Sequence, residues 1–260
     1  TGFQGERIIQ HTSIRIYKNN PSVYFHRTIH EQLTKKGGDL KVGSSHLILY
    51  HSGYLNRVIK EKNKSERNQQ LLEKEIKLSG NTGFDYFNLG NEYLSLGKTK
   101  DALDAYINAY QKKPDFRYSW VSFCIIQIIN CLIQLKRYQD ALNVIKDAEE
   151  IYVQSPDLKC LKGNIYLLQN RIDDAIVELE DLLNNKEIFQ NCISSIDFLE
   201  YHPYYFLGLA YKKRKEYEKA VYYFAKAFSN NRYSYQSLYN LIEILSKTCS
   251  REEVDIFIKK

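Results

Sequence analysis

The chain has 260 residues, a net charge of +6, 43% apolar and 26% charged residues, a mixture that can bury a core and excludes wholesale disorder. Its lysines lie among acidic residues, without the one-sided basic face or aromatic-studded sheet that nucleic-acid binding needs, so no nucleic-acid partner is expected. Cys124, Cys131, Cys160, Cys192 and Cys249 form no CxxC pair and exclude a disulfide framework, and the most apolar run, Phe123 to Leu135, is too short to span a bilayer.

Residues 1–60 read as short strands and turns: Ile14 to Tyr17, a turn at Asn19-Asn20-Pro21, Val23 to Phe25, and Leu47 to Tyr50. The polar stretch from Lys35 to Gly43, with Gly37-Gly38, reads as a loop. A helix is predicted from about Lys64 to Leu78, stopped by Ser79-Gly80.

From Gly83 onward the chain repeats itself. Residues 83–116 carry Tyr86, Leu89-Gly90, Tyr93, Ala102, Tyr106, Ala109 and Pro114; residues 201–234 carry Tyr204, Leu207-Gly208, Tyr211, Tyr217, Ala220, Phe224 and Ala227. Two weaker copies lie between them, 122–155 with Tyr138, Ala141, Ile145 and Ala148, and 156–189 with Gly163, Tyr166, Ala175 and Leu179. Small residues such as Gly90 and Ala102 allow two antiparallel helices to approach, and Tyr93 and Tyr106 are expected to fill the space between successive hairpins. Gln190 to Glu200 is an insertion. Tyr235 to Ser246 reads as a further helix, with a capping box at Ser250 to Glu253 opening a last short one, so that 235–260 caps the array.

This pattern resembles the tetratricopeptide repeat, and the expected fold is mainly α, a tetratricopeptide-type αα superhelix with a small N-terminal α/β segment. Three first helices place asparagine at one repeat position, Asn91, Asn130 and Asn164, and the fourth has Leu209. An asparagine amide both donates and accepts, so such a ladder would hold an extended protein or peptide with little regard to sequence; the other reading is an asparagine tolerated on an exposed face. Phe87 and Cys160 stand where a lysine grips a C-terminal carboxylate in some repeat domains, which argues against that mode. The stripe of Tyr118, Trp120, Phe123, Tyr201, Tyr204, Tyr205 and Phe206 is read mostly as hairpin packing, with surface tyrosines available to a bound peptide.

Upstream, Thr28-Ile29-His30-Glu31-Gln32-Leu33, then Leu49-Tyr50-His51-Ser52-Gly53-Tyr54, then Lys64, Arg67-Asn68 and Leu71-Leu72-Glu73 resemble the closing motifs of bacterial family-2 glycosyltransferases that carry C-terminal tetratricopeptide repeats. The bacteriocin peptide glycosyltransferases are similar in layout. The resemblance implies that 1–60 is the end of a GT-A catalytic domain and 61–82 a linker helix. It implies a nucleotide-sugar donor bridged by a divalent metal (Mg or Mn) in the intact protein. His30 and Glu31 would serve catalysis near donor and acceptor, and His51 would lie near the metal. The alternatives are a turn-capping His30, a packed His51 and a repeat adaptor with no enzymatic role.

The family's pair of aspartates, one residue apart, lies before the histidine-glutamate motif, whereas Asp39 is the first aspartate here. With a start at Thr1 and no methionine, the protein is expected to continue upstream and the fragment alone to be inactive. Unpaired N-terminal strands would favour a strand-exchanged homodimer. No signal peptide or membrane span is recognisable, which suggests the cytoplasm.

Overall fold

The computed structural model describes residues 16–26, 32–38, 40, 41, 43, 64–79, 82–189, 195–248 and 250. They are mainly helical, with a two-stranded sheet near the N-terminus, and fall into two compact units, one within Ile8–Lys112 and the other within Lys113–Lys260.

In the first unit, strands β1 (Val23–His26) and β2 (Gln32–Lys35) pair antiparallel, with Val23 opposite Lys35 and His26 opposite Gln32. Asn20 nucleates the turn into β1: its side-chain oxygen accepts from the Ser22 amide and hydroxyl, both at 2.9 Å. The partner of β1 is therefore a segment that the sequence reading divided between a motif and a loop. Ile16 and Tyr17 form no strand; Tyr17 instead sets its ring edge-on to Phe25 at 5.7 Å. The predicted strand at Leu47 to Tyr50 lies outside the described residues.

Helix α1 (Lys64–Ser79) precedes the hairpin of α2 (Gly83–Ser95) and α3 (Thr99–Gln111). A capping box opens α2, the Thr82 hydroxyl accepting from the Asp85 amide while the Asp85 carboxylate accepts from the Thr82 amide at 3.0 Å. Leu72 of α1 is fully buried in a cluster with Leu89 and Ala105, flanked by Ile76 and Tyr93. Leu72 precedes the first repeat by the distance at which Ile145 and Phe224 precede the copies after theirs. In packing, α1 thus acts as the second helix of a preceding half-repeat.

The second unit contains α4 (Ser119–Gln134), α5 (Tyr138–Ile151), α6 (Pro156–Leu168), α7 (Ile172–Asn184), the short α8 (Asp197–Glu200), α9 (His202–Lys213), α10 (Tyr217–Asn230) and α11 (Tyr235–Thr248). Three pairs of consecutive helices form hairpins, α4 with α5, α6 with α7 and α9 with α10. Leu179, Leu182, Leu207, Phe224, Leu241 and Ile244 form its core together with Leu199 of α8, so the insertion before α9 docks through a leucine. Ser250 is described, but the rest of its predicted capping box is not.

One close approach recurs inside the hairpins. A Cβ on Gly90, Gly163 or Gly208 would lie 2.6 Å from Tyr106, Leu179 or Phe224 respectively, each sixteen residues later on the paired helix. Tyr106 thus packs against the glycine of its own hairpin, not between hairpins as expected. Tyr93 does face the neighbouring helix, with its hydroxyl donating to Glu73 of α1 at 2.8 Å. In the weak second copy Ile129 takes the glycine position, and both it and Ile145 are buried.

Each hairpin turns through a left-handed residue, Gly97, Lys136, Asn170 or Lys215, at φ 73°, 58°, 61° and 63°. The next amide reaches back five residues: Lys98 to Tyr93, Arg137 to Leu132, Arg171 to Tyr166 and Glu216 to Tyr211, at 2.8 to 3.0 Å. This is the Schellman pattern, which satisfies helix-end carbonyls that would otherwise lack donors.

Candidate functional site

The three asparagines of the expected ladder lie on α2, α4 and α6, in two units. Asn91, on α2, accepts from the buried Tyr106 hydroxyl at 2.7 Å, which ties its carbonyl to the hairpin core. In the second unit, Asn130 donates to Gln127 at 3.5 Å on the same helix. Asn164 lines an open cleft. His30, Glu31 and His51 lie outside the described residues.

That cleft, about 450 Å³, runs between the C-terminal halves of α6 and α9 and is lined by Asn164, Leu167, Leu168, Leu209, Lys212 and Lys213. Its floor is apolar and its rim basic. The Lys213 ammonium donates to the Leu167 carbonyl at 3.1 Å, near the C-terminus of α6, where the helix dipole favours a cation. Lys212 donates to Asn240 at 2.8 Å and pairs with Glu243 at 2.7 Å, both on α11. Glu243 also pairs with Lys247 at 2.8 Å, and the two lysines hold its carboxyl down at about 2. Sequence reasoning named Leu209 only as the break in the ladder and missed Lys212, Lys213 and Glu243. The available signals were the basic run from Lys212 to Lys215 and the place of Glu243 one repeat length after Leu209.

A second concavity in the same unit, about 500 Å³, is lined by Glu180, Tyr211, Glu218, Lys219, Tyr222 and Tyr223. Here Glu180 of α7 accepts from the Tyr211 hydroxyl at 2.6 Å and from Tyr223 at 3.3 Å, and the two rings stack at 5.4 Å. Burial and the adjacent carboxylate push the Tyr223 phenol up to about 12. Tyr93 and Glu73 repeat the contact in the first unit, so the tyrosine of each clear copy clamps its hairpin to an earlier helix, α1 or α7.

Cys124, Cys131 and Cys160 are buried thiols. Burial pushes Cys124 up to about 12, Cys131 up to about 11 and Cys160 well above the usual range, so none is poised as a nucleophile. Cys192 and Cys249 lie outside the described residues. Among the described residues no group of three His, Cys, Asp or Glu side chains could hold a metal ion, and no helix is long and apolar enough to cross a membrane.

A family model of the tetratricopeptide repeat matches residues 86–116 and 201–233, so the chain carries such repeats. The SPbeta prophage-derived glycosyltransferase SunS of Bacillus subtilis (strain 168) is 27% identical over 177 residues, covering 63% of this chain and 42% of that protein. The glycosyltransferase SunS of Bacillus phage SPbeta matches to the same extent. The chain spans less than half the length of these curated relatives.

Among solved structures, the APC/C hetero-tetramer Cut9-Hcn1 matches with a TM-score of 0.57 at 14% identity, over 74% of this chain and 35% of that one. A tetratricopeptide repeat protein from Parabacteroides merdae ATCC 43184 gives 0.54 at 14% identity, over 72% and 68%. A thermophilic repeat protein of the same type from Thermus thermophilus gives 0.51 at 18% identity, over 72% and 93%. These likenesses establish the mainly helical fold of tetratricopeptide type.

Proposed function

We propose that this chain is part of a glycosyltransferase in which the repeats hold a protein or peptide acceptor. The observation that carries this reading is the 27% identity over 177 residues to a glycosyltransferase. The chemistry of the repeats supports the division of labour: paired helices expose asparagine, leucine and lysine along first helices, a surface suited to extended polypeptide.

For the whole enzyme we propose a nucleotide-sugar donor and a divalent ion, Mg or Mn, which would neutralise the leaving diphosphate. His30 and Glu31 are proposed beside the reacting groups, where a carboxylate can take the acceptor proton, and His51 near the metal. The described residues offer no such metal cluster, and no step is assigned to them. The test is a donor-hydrolysis and acceptor-labelling assay on the full-length gene product with Mg or Mn. Sugar transfer that falls at least tenfold in Glu31→Gln supports the reading, and absence of transfer from any common nucleotide sugar would sink it.

A second reading, a non-enzymatic repeat adaptor, is favoured by one specific observation. The α1 residues that contributed to the glycosyltransferase resemblance have packing roles: Leu72 is buried, Asn68 donates to Glu92 at 2.8 Å, and Glu73 accepts from Tyr93. Labelling of an acceptor by the full-length product decides against the adaptor.

A further inference from the structure

We propose that the cleft between α6 and α9 docks an acidic polypeptide segment through one apolar side chain. This deepens the scaffold reading and rests on it, because it names the chemistry of the partner that the repeats hold.

Leu167, Leu168 and Leu209 converge from two first helices, and Leu168 keeps 48% of its surface exposed. The volume of about 450 Å³ is within the range of ligand clefts, about 300–1,000 Å³, and exceeds what a single aliphatic side chain fills. Asn164 stands at the edge of this floor, where its amide can pair with a backbone carbonyl or amide of an extended chain.

The charge around the floor selects the partner. Lys213 is held at the mouth by the Leu167 carbonyl, Lys212 by Asn240 and Glu243, and Lys247 by the same Glu243. Two ammonium groups therefore share one carboxylate, and a third, that of Lys213, sits against a backbone carbonyl. Arg214, the next residue, adds no free charge, since Asp173 and Glu216 pair with it at 3.0 and 2.7 Å. Acidic residues on either side of an apolar anchor meet this rim favourably, whereas basic ones meet like charge. A nucleic acid would satisfy the lysines but leave the leucine floor without a partner.

The test is fluorescence anisotropy on the 260-residue chain with a short fluorescein-labelled peptide carrying one central leucine flanked by aspartates. Two control peptides replace the leucine by serine or the aspartates by lysines, and a labelled oligothymidylate is the third. The acidic leucine peptide is expected to bind at least tenfold more tightly than each control and to weaken as salt rises from 50 to 300 mM. Lys213→Glu, at an exposed position, and Leu209→Ser should each weaken it at least fivefold. Circular dichroism melts identify any variant that has lost its fold, and Lys213→Glu alone then suffices. Equal binding of acidic and basic peptides, tighter binding of the oligonucleotide, or no effect of Lys213→Glu overturns the inference. Crosslinking of the peptide only to the Asn91 or Asn130 helices would also overturn it while leaving the scaffold reading intact. A full-length product that labels an acceptor unimpaired by Lys213→Glu likewise separates the two.

Discussion

Gly208 lies so close beneath the ring of Phe224 that a Cβ on it would sit 2.6 Å from Cδ1 and 2.7 Å from Cε1. Phe224 is fully buried, so its ring has no free space to move into. Gly208→Ala should therefore destabilise the chain by about 1–2 kcal/mol net, because overpacking of up to about 3 kcal/mol outweighs the helix propensity of alanine, worth about 1 kcal/mol. Urea denaturation measures this. A neutral or stabilising result would mean that the hairpin yields at little cost.

The left-handed turns predict the opposite sign. Lys136 and Lys215 occupy a conformation that costs a non-glycine residue roughly 1–2 kcal/mol, and both are exposed. Lys136→Gly and Lys215→Gly should each stabilise the chain by about 0.5–1 kcal/mol, after the entropy of the added glycine is counted. Gly97→Ala, at the matching turn, should destabilise it. Thermal melts of the three variants decide the matter.

Tyr211 is nearly buried, and its hydroxyl donates to Glu180 at 2.6 Å. Tyr211→Phe keeps the ring stacked on Tyr223 and deletes only this charged hydrogen bond, which should cost about 1.5–3 kcal/mol. Adding Glu180→Gln to Tyr211→Phe should cost less than the two single losses summed, since the groups share one interaction. A double-mutant cycle that shows strict additivity would contradict the clamp.

His202 packs among the rings of Phe198, Tyr201 and Phe206 at 4.9 to 5.8 Å, and burial lowers its pKa to about 4. The unfolded chain takes up a proton near pH 6.5, whereas the folded one does so only near 4. Within that window the unfolded state binds more protons, so stability rises with pH and falls on acidification. In His202→Phe this contribution should vanish, flattening stability against pH between 6.5 and 4. Parallel slopes for the two proteins would show that His202 does not titrate as described.

Much of the repeat architecture was legible because small residues and aromatics recur at fixed offsets. Gly90 with Tyr106 and Gly208 with Phe224 stand the same distance apart, and that spacing follows from the geometry of two paired helices. The second copy was faint for the same reason, since a buried Ile129 stands at the position where the other copies carry glycine. The strand from Gln32 to Lys35 was not read because four residues carry too short an alternation to distinguish a strand from a loop. Of the ladder, only Asn164 lines the cleft; Asn91 is tied to Tyr106, a contact across a hairpin that no local pattern announces.

The sequence by itself determined the helical repeats and their register, because helix period, small-residue positions and turn residues are local properties that each copy states again. Only the tertiary structure decided which polar side chains serve the interior and which line a cleft. Tyr93 with Glu73, Tyr211 with Glu180 and the lysine rim over Leu209 join residues far apart in the chain. Such contacts depend on the distances between packed helices, which one-dimensional spacing does not carry.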